Sequence, residues 1–282
     1  MRNAPKTRPG FVPPARPGVA VIDGPARYLY AFTHDLTEGP LADLEGLPGA
    51  RVAVIAHGNI AAVVSPCPPG KVRPERRRVA GHHHVLKHLQ DKLDKAVLPA
   101  GFGMVADSEE DLRTLLQQHA SAIAEGLIRV KGKVEMTVKL RWGPDNVAQA
   151  ILSRDPELRQ LRDQLYGDGQ TPSRDQSVEL GRLFHRALER HRDHYADRLR
   201  GALTPLLSEL VEEELRDERD LVHWACLIEN RHRAGFETAI DQLAAELEDD
   251  LVLELTGPWP PHHFVDLDLD ENDNENEEGD GN

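Results

Sequence analysis

The chain has 282 residues, of which 39% are hydrophobic, and this is enough to build the cores of about two domains. Its formal net charge of −14 disfavours nucleic acid and anionic membranes as partners, since both are bound through clustered Lys and Arg. Cys67 and Cys226 lie far apart and in no metal-binding spacing, and no apolar run reaches the ~20 residues of a membrane span. We therefore expect a soluble cytoplasmic protein without a disulfide framework.

Residues 1–26 combine six prolines with glycines and basic residues, a composition that predicts a disordered arm. The aromatic run at residues 28–32 then predicts a strand, followed by a loop rich in Pro and Gly. Two β-branched runs, at residues 51–57 and 60–65, flank Gly58 and Asn59. This pattern predicts a β-hairpin.

Helical spacing of apolar residues predicts a helix over residues 84–98, ended by Pro99. Residues 102–105 favour a brief strand. Ser108 is the expected N-cap of a second helix, whose apolar stripe runs from Leu112 to Leu127. Residues 27–129 are thus predicted to form an N-terminal α+β domain.

The second half begins with strict alternation of apolar and polar residues over 134–142, which predicts a half-buried strand. The later pattern is a short helix begun by Asp155 and Pro156, a long helix, a strand pair, a helix and a final strand. The order β-α-β-β-α-β predicts a ferredoxin-like domain over residues 130–265. Residues 266–282, with nine acidic and no basic side chains, are predicted to be a disordered acidic tail.

Histidine clusters are the first candidate sites. The first cluster contains His82, His83, His84 and His88, with Asp91 nearby. It indicates either a metal site or the exposed start of a helix. The second interpretation is preferred because no further ligand is evident. A second group lies on the long helix, where His191 falls on the apolar stripe and is expected to pack in the core. Its other members are His185 and His194.

The remaining candidates have weak signals. Cys67 lacks an activating base, and Cys226 is expected to be a small core residue. The Gly101–Gly103 and Gly167–Gly169 pairs lack a phosphate-binding pattern and favour turns. Trp259 lies within the sequence Gly-Pro-Trp-Pro-Pro. The preferred interpretation is that its side chain plugs the folded body after the last strand, and the alternative is that this segment recognises a partner. The run from Arg76 to Arg78 is either a solvated loop or a docking patch.

Several segments together resemble the gas vesicle protein F/L family. They are YLYAF, VAVIAHGNIAAVVSP, HHHVLKHL, VLPAGFGMV, GKVEMTVKLRW and LELTGPWPPHHFVD, in this order from Tyr28 to Val265. The family usually has Tyr where this chain has His262. The resemblance implies an N-terminal α+β domain and a ferredoxin-like C-terminal domain, in agreement with the residue patterns.

The resemblance also implies a function. Family members are minor components or assembly factors of gas vesicles, thought to bind the small hydrophobic shell protein and to limit its aggregation during nucleation. The resemblance further implies a gas vesicle location, with the shell protein and other accessory proteins as partners. It implies neither catalytic residues nor cofactors, so we expect the chain not to be an enzyme.

The ferredoxin-like half leaves other function classes open. An RNA-binding module of this topology stacks bases on aromatic residues of its central strands. The outward positions of the first strand in this half contain no aromatic residue, which disfavours RNA binding. These positions are Glu135, Thr137, Lys139 and Arg141. A small-molecule-binding or enzymatic ferredoxin-like protein is the alternative function.

Overall fold

The computed structural model describes residues 25–47, 49–93, 95–143, 147–167 and 172–265. Two antiparallel sheets, each packed against helices, confirm the predicted α+β class. Residues 1–24 of the predicted disordered arm and the acidic tail lie outside the described residues, whereas Ala26, also predicted to belong to the arm, is a buried strand residue.

The first sheet has strand order β2-β3-β4-β1-β5, and β6 also pairs with β1. The hairpin around Gly58 and Asn59 is confirmed, and Gly58 has the positive φ of 60° that such a turn requires. The strands of this sheet are β1 (Ala26–His34), β2 (Gly39–Glu45), β3 (Arg51–His57), β4 (Ile60–Cys67), β5 (Leu98–Pro99) and β6 (Val105–Ala106).

Strand β2 lies where the sequence predicts a loop, so that prediction is wrong. Gly39 and Pro40 suggested a break, but β2 is the edge of the sheet, where proline needs no ladder partner for its missing N–H. The turn after β2 also holds helix α1 (Arg76–Lys92) close, because a Cβ atom on Gly81 would lie 2.4 Å from the carbonyl oxygen of Gly46.

Three helices pack on this sheet. Helix α1 begins eight residues before the predicted start at residue 84 and ends before 98, because Leu98 and Pro99 pair with β1 instead. Arg76–Arg78 therefore belongs to a helix and not to a loop. The Ser108 cap is confirmed: its side chain accepts a hydrogen bond from the backbone N–H of Asp111. It begins α2 (Glu109–Gln118), and a break at His119 separates α3 (Ala120–Val130).

The second sheet has strand order β10-β7-β9-β8, which places the first and third strands of this half in the centre, as predicted. Its apolar face forms a core with the helices that follow β7 and β9. The strands are β7 (Lys133–Trp142), β8 (Glu209–Glu212), β9 (Asp220–Glu229) and β10 (Leu251–Trp259).

Four helices cover that face. Asp155 caps the second of them and Pro156 is its first residue, both as predicted, whereas the first helix was not predicted. They are α4 (Val147–Arg154), α5 (Pro156–Tyr166), α6 (Arg174–Leu203) and α7 (Arg233–Glu246).

The opposite face of the second sheet is partly covered by the chain after β10. A short 3-10 helix, His262–Phe264, buries Phe264 against Ala225 and Leu227. Glu135 was predicted to face solvent, but this segment buries it to 2% exposure. The prediction was wrong because alternation along a strand does not show what a distant segment will cover.

Candidate interaction surfaces

An apolar groove lies between α4, α5 and α6, and we call it the helical groove. It has a volume of about 490 Å³. Arg162 is the only charged residue among those that line it within the described chain, and its guanidinium pairs with Asp163. The lining residues are Ala148, Leu152, Leu158, Arg162, Tyr166, Ser177, Leu180, Gly181 and Phe184.

The helical groove exists because α6 extends past the sheet. With 30 residues, α6 is about 45 Å long, and its buried residues all lie at or after Ala187. Its first turns pack on α4 and α5 instead of on the sheet. Large apolar side chains remain exposed there, with Tyr166 at 50% and Val178 at 46%. Exposed apolar surface next to a groove is typical of a protein-binding site.

Local hydrogen bonds fix the helices that form the groove. Arg159 in α5 donates to the carbonyl oxygens of Leu152 and Ser153 in α4, which locks the turn between these helices. Ser173 and Gln176 form a capping box that begins α6. The groove is therefore largely preformed, which reduces the entropy lost when a partner binds.

A second concave surface, which we call the lysine cleft, lies where the two sheets meet, with a volume of about 570 Å³. The Nδ1 atom of His34 lies 2.8 Å from Asp35 at its edge, and this hydrogen bond lowers the pKa of Asp35. Four lysines and two aspartates are among its lining residues: Lys92, Lys95, Lys131, Lys133, Asp35 and Asp91.

In the first histidine cluster, His83 and His84 are exposed, but His82 lies in a buried aromatic group with Tyr28 and Phe102, so the predicted exposed position is wrong for His82. His82 is 1% exposed, and its Nδ1 lies 2.9 Å from the hydroxyl of Tyr28. Burial, together with nearby His262 and His83, lowers the pKa of His82 to about 4, and burial lowers that of His262 to about 4 as well. The Nε2 atom of His262 has no hydrogen-bond partner among the described residues. These two histidines are therefore neutral at pH 7.

The structure brings His83 and His262 together, with ring centroids 5.8 Å apart, but Asp91 pairs with Lys87 instead. Within the part of the chain that the structure describes, no three His, Cys, Asp or Glu side chains are arranged to hold a metal ion. His191 packs edge-on against Trp142, and burial lowers its pKa, in line with the predicted packing role.

The two cysteines are buried and unpaired. Burial raises the pKa of Cys67, and it raises the pKa of Cys226 to about 12, so neither forms a thiolate readily at neutral pH. Gly101 and Gly103 lie in a turn, as predicted. Gly167 follows α5, and the rest of its predicted turn lies outside the described residues.

Charged contacts occupy two more of the outward positions of β7. Lys139 lies 3.1 Å from Asp220, and Arg141 lies 2.6 Å from Glu254. His263 joins Glu135 to Glu213 beyond β8, at 2.7 and 2.9 Å from its two ring nitrogens. The sequence alone gave no signal for this bridge, because its members are brought together only by the chain that returns after β10.

Trp259 does not plug the body, so the preferred prediction for it is wrong. Its side chain is 40% exposed, and β10 continues through Pro258 to Trp259. A register shift between Thr256 and Trp259 accommodates the proline, and β10 is an edge strand, where proline is tolerated. Trp259 is therefore available to a partner.

Among the described helices, none has both the length and the apolarity needed to cross a membrane. Residues 26–266 match the family model described as gas vesicle synthesis protein GvpL/GvpF. The chain belongs to this family.

Relatives of both F and L types match most of the chain. Gas vesicle protein F of a Streptomyces strain is 29% identical over 230 residues, which cover 78% of this chain and 90% of that protein. Gas vesicle protein L1 of Halobacterium salinarum is 24% identical over 256 residues, covering 85% and 90%. Family membership supports an accessory role in gas vesicles and an association with them.

Solved structures show the same fold. The crystal structure of GvpF from Anabaena has a TM-score of 0.75 with 22% identity, covering 86% of this chain and 99% of that one. GvpF from Microcystis aeruginosa has a TM-score of 0.71, also with 22% identity, covering 86% and 100%.

Proposed function

We propose that this chain binds the hydrophobic shell protein of gas vesicles and limits its aggregation during nucleation, with the helical groove as the contact surface. A shell subunit needs a face that repels water, and before assembly that face associates with any apolar surface it meets. A preformed apolar groove accepts an apolar segment in the way that helix-binding grooves do. The groove, in which Arg162 is the one charged residue among the described lining residues, is the observation that carries this proposal.

The charge of the chain supports the second part of the proposal. This chain brings a formal charge of −14 to any complex it forms, and repulsion between such complexes keeps bound shell protein dispersed. The groove covers the apolar segment, and the charged surface prevents the complexes from associating.

Two glycines on α6 provide a matched test. Gly181 lines the groove, and a Cβ atom there meets no neighbour within 4 Å, so the backbone at this position accepts a side chain. Gly201 on the same helix has equally open surroundings and does not line the groove. Both substitutions to Glu add one charge and replace a helix-weakening glycine.

The assay is light scattering of purified shell protein diluted from denaturant, with and without the full chain. The unmodified chain and Gly201→Glu are expected to suppress scattering, and Gly181→Glu is expected to lose most of this effect. Equal suppression by the two variants would refute the groove as the contact, and no suppression by the unmodified chain would refute the chaperone-like role.

The alternative, a small-molecule-binding or enzymatic protein, would use the lysine cleft. Family membership favours the accessory role over it. Saturable metabolite binding that Lys131→Glu abolishes, without a change in suppression of scattering, would support the alternative.

A further inference from the structure

A strongly basic surface lies at the start of α1. It is formed by residues 71–78, and we call it the α1 basic patch. Glu75 is the only carboxylate in this stretch, and it lies 3.6 Å from Arg78. The other four cations are exposed and form no ion pair with any residue that the structure describes. They are Lys71, Arg73, Arg76 and Arg77. The patch therefore carries a formal charge of +4, from five cations and one carboxylate, in a chain of −14.

The position of the patch increases its positive potential. The N-terminus of a helix carries partial positive charge, which favours anions and disfavours cations. The first turn of α1 contains no acidic residue, and the Glu75 side chain makes no capping hydrogen bond. The arginines thus add to the helix charge instead of compensating it, so an anionic segment placed here would be stabilised.

The chain after β10 passes close to α1 before the described residues end. The ring of His262 lies 5.8 Å from that of His83, and the chain then turns back across the second sheet, where His263 contacts Glu135. Arg76 lies seven residues beyond His83, about 10 Å along the helix. Residues 266–282 follow, with nine carboxylates and no cation. Seventeen residues span up to ~56 Å when extended, which is ample reach.

We propose that the acidic segment 266–282 lies on the α1 basic patch of the same chain. Charge complementarity and reach support this contact. It is independent of the proposed function, because the helical groove lies on other helices.

Distance measurement between two spin labels on the full-length chain tests this contact. Cys67 and Cys226 are fully buried, so cysteines introduced by Asn274→Cys and Ala80→Cys are the reactive ones. At low salt we expect a narrow population of short distances between the labels. It should disappear in Arg76→Glu/Arg77→Glu, and at 1 M salt, where the Debye length is about 3 Å.

The matched control is Arg182→Glu/Arg186→Glu, two exposed arginines on α6 whose reversal changes the net charge equally. The control should keep the short distances. The proposal is overturned if both double variants lose them, if neither does, or if short distances arise only when two singly labelled chains are mixed. In the last case, the contact joins two copies.

Discussion

Acidification is expected to destabilise the protein through His82. The unfolded chain binds a proton on this histidine with the ordinary pKa of 6.5, whereas the buried side chain has a pKa of about 4. The folded state therefore binds fewer protons between these values. The contribution of His82 to the free energy of unfolding is therefore largest above pH 6.5 and falls as the pH drops toward 4.

The size of the effect follows from these two pKa values. Between pH 7 and pH 5, His82 alone should remove about 2 kcal/mol from the free energy of unfolding. His262, whose pKa is also about 4, acts in the same direction. Carboxylates held below their usual pKa, such as Glu38 beside Arg113, contribute mainly at lower pH.

Urea unfolding followed by circular dichroism at pH 7, 6 and 5 measures this slope. His82→Gln should reduce the loss between pH 7 and 5 by about 2 kcal/mol, whatever its effect at pH 7. His84→Gln, at an exposed position of the same helix, controls for the loss of a histidine. An unchanged slope in His82→Gln would refute the burial of a neutral imidazole at this position.

Three further predictions concern packing and helix capping, and each is tested by the midpoint of thermal unfolding. Phe264→Ala should cost about 3–5 kcal/mol because its ring is 2% exposed, and a small effect would contradict the covered sheet face. Gly81→Ala should destabilise the protein although Ala has the better helix propensity, because its Cβ would meet the carbonyl oxygen of Gly46. Gly235→Ala, in open space, should stabilise it by up to about 1 kcal/mol. Effects of the same sign would refute the close approach of Gly81 to Gly46. Ser108→Ala should cost about 1 kcal/mol for the lost cap, and no cost would refute it.

The parts of the fold that local patterns determine were predictable. Alternation along β7 and the turn at Gly58 and Asn59 depend on neighbouring residues, and both predictions are confirmed. Pro40 and Pro258 misled the prediction, because proline is excluded from central strands and tolerated at edges. Which strand forms an edge is decided by the whole sheet and is not visible in a local segment.

The candidate surfaces depended on contacts between distant residues. The helical groove requires α4, which no local pattern predicted, to pack beside the start of α6. The burial of Glu135 requires His263 and Phe264 to return across the second sheet. The arginine run was visible in the sequence, but only the structure places it on the first turn of a helix.

Site-specific photo-crosslinking in cells that assemble gas vesicles tests the shell-binding proposal most directly. A benzophenone amino acid replaces Tyr166, which lines the helical groove and is 50% exposed, or Ile128, which is 74% exposed and lies outside the groove. We predict that the shell protein is captured from position 166 and not from position 128. Absence of shell protein from the position 166 product, or equal capture from both positions, would contradict the proposal.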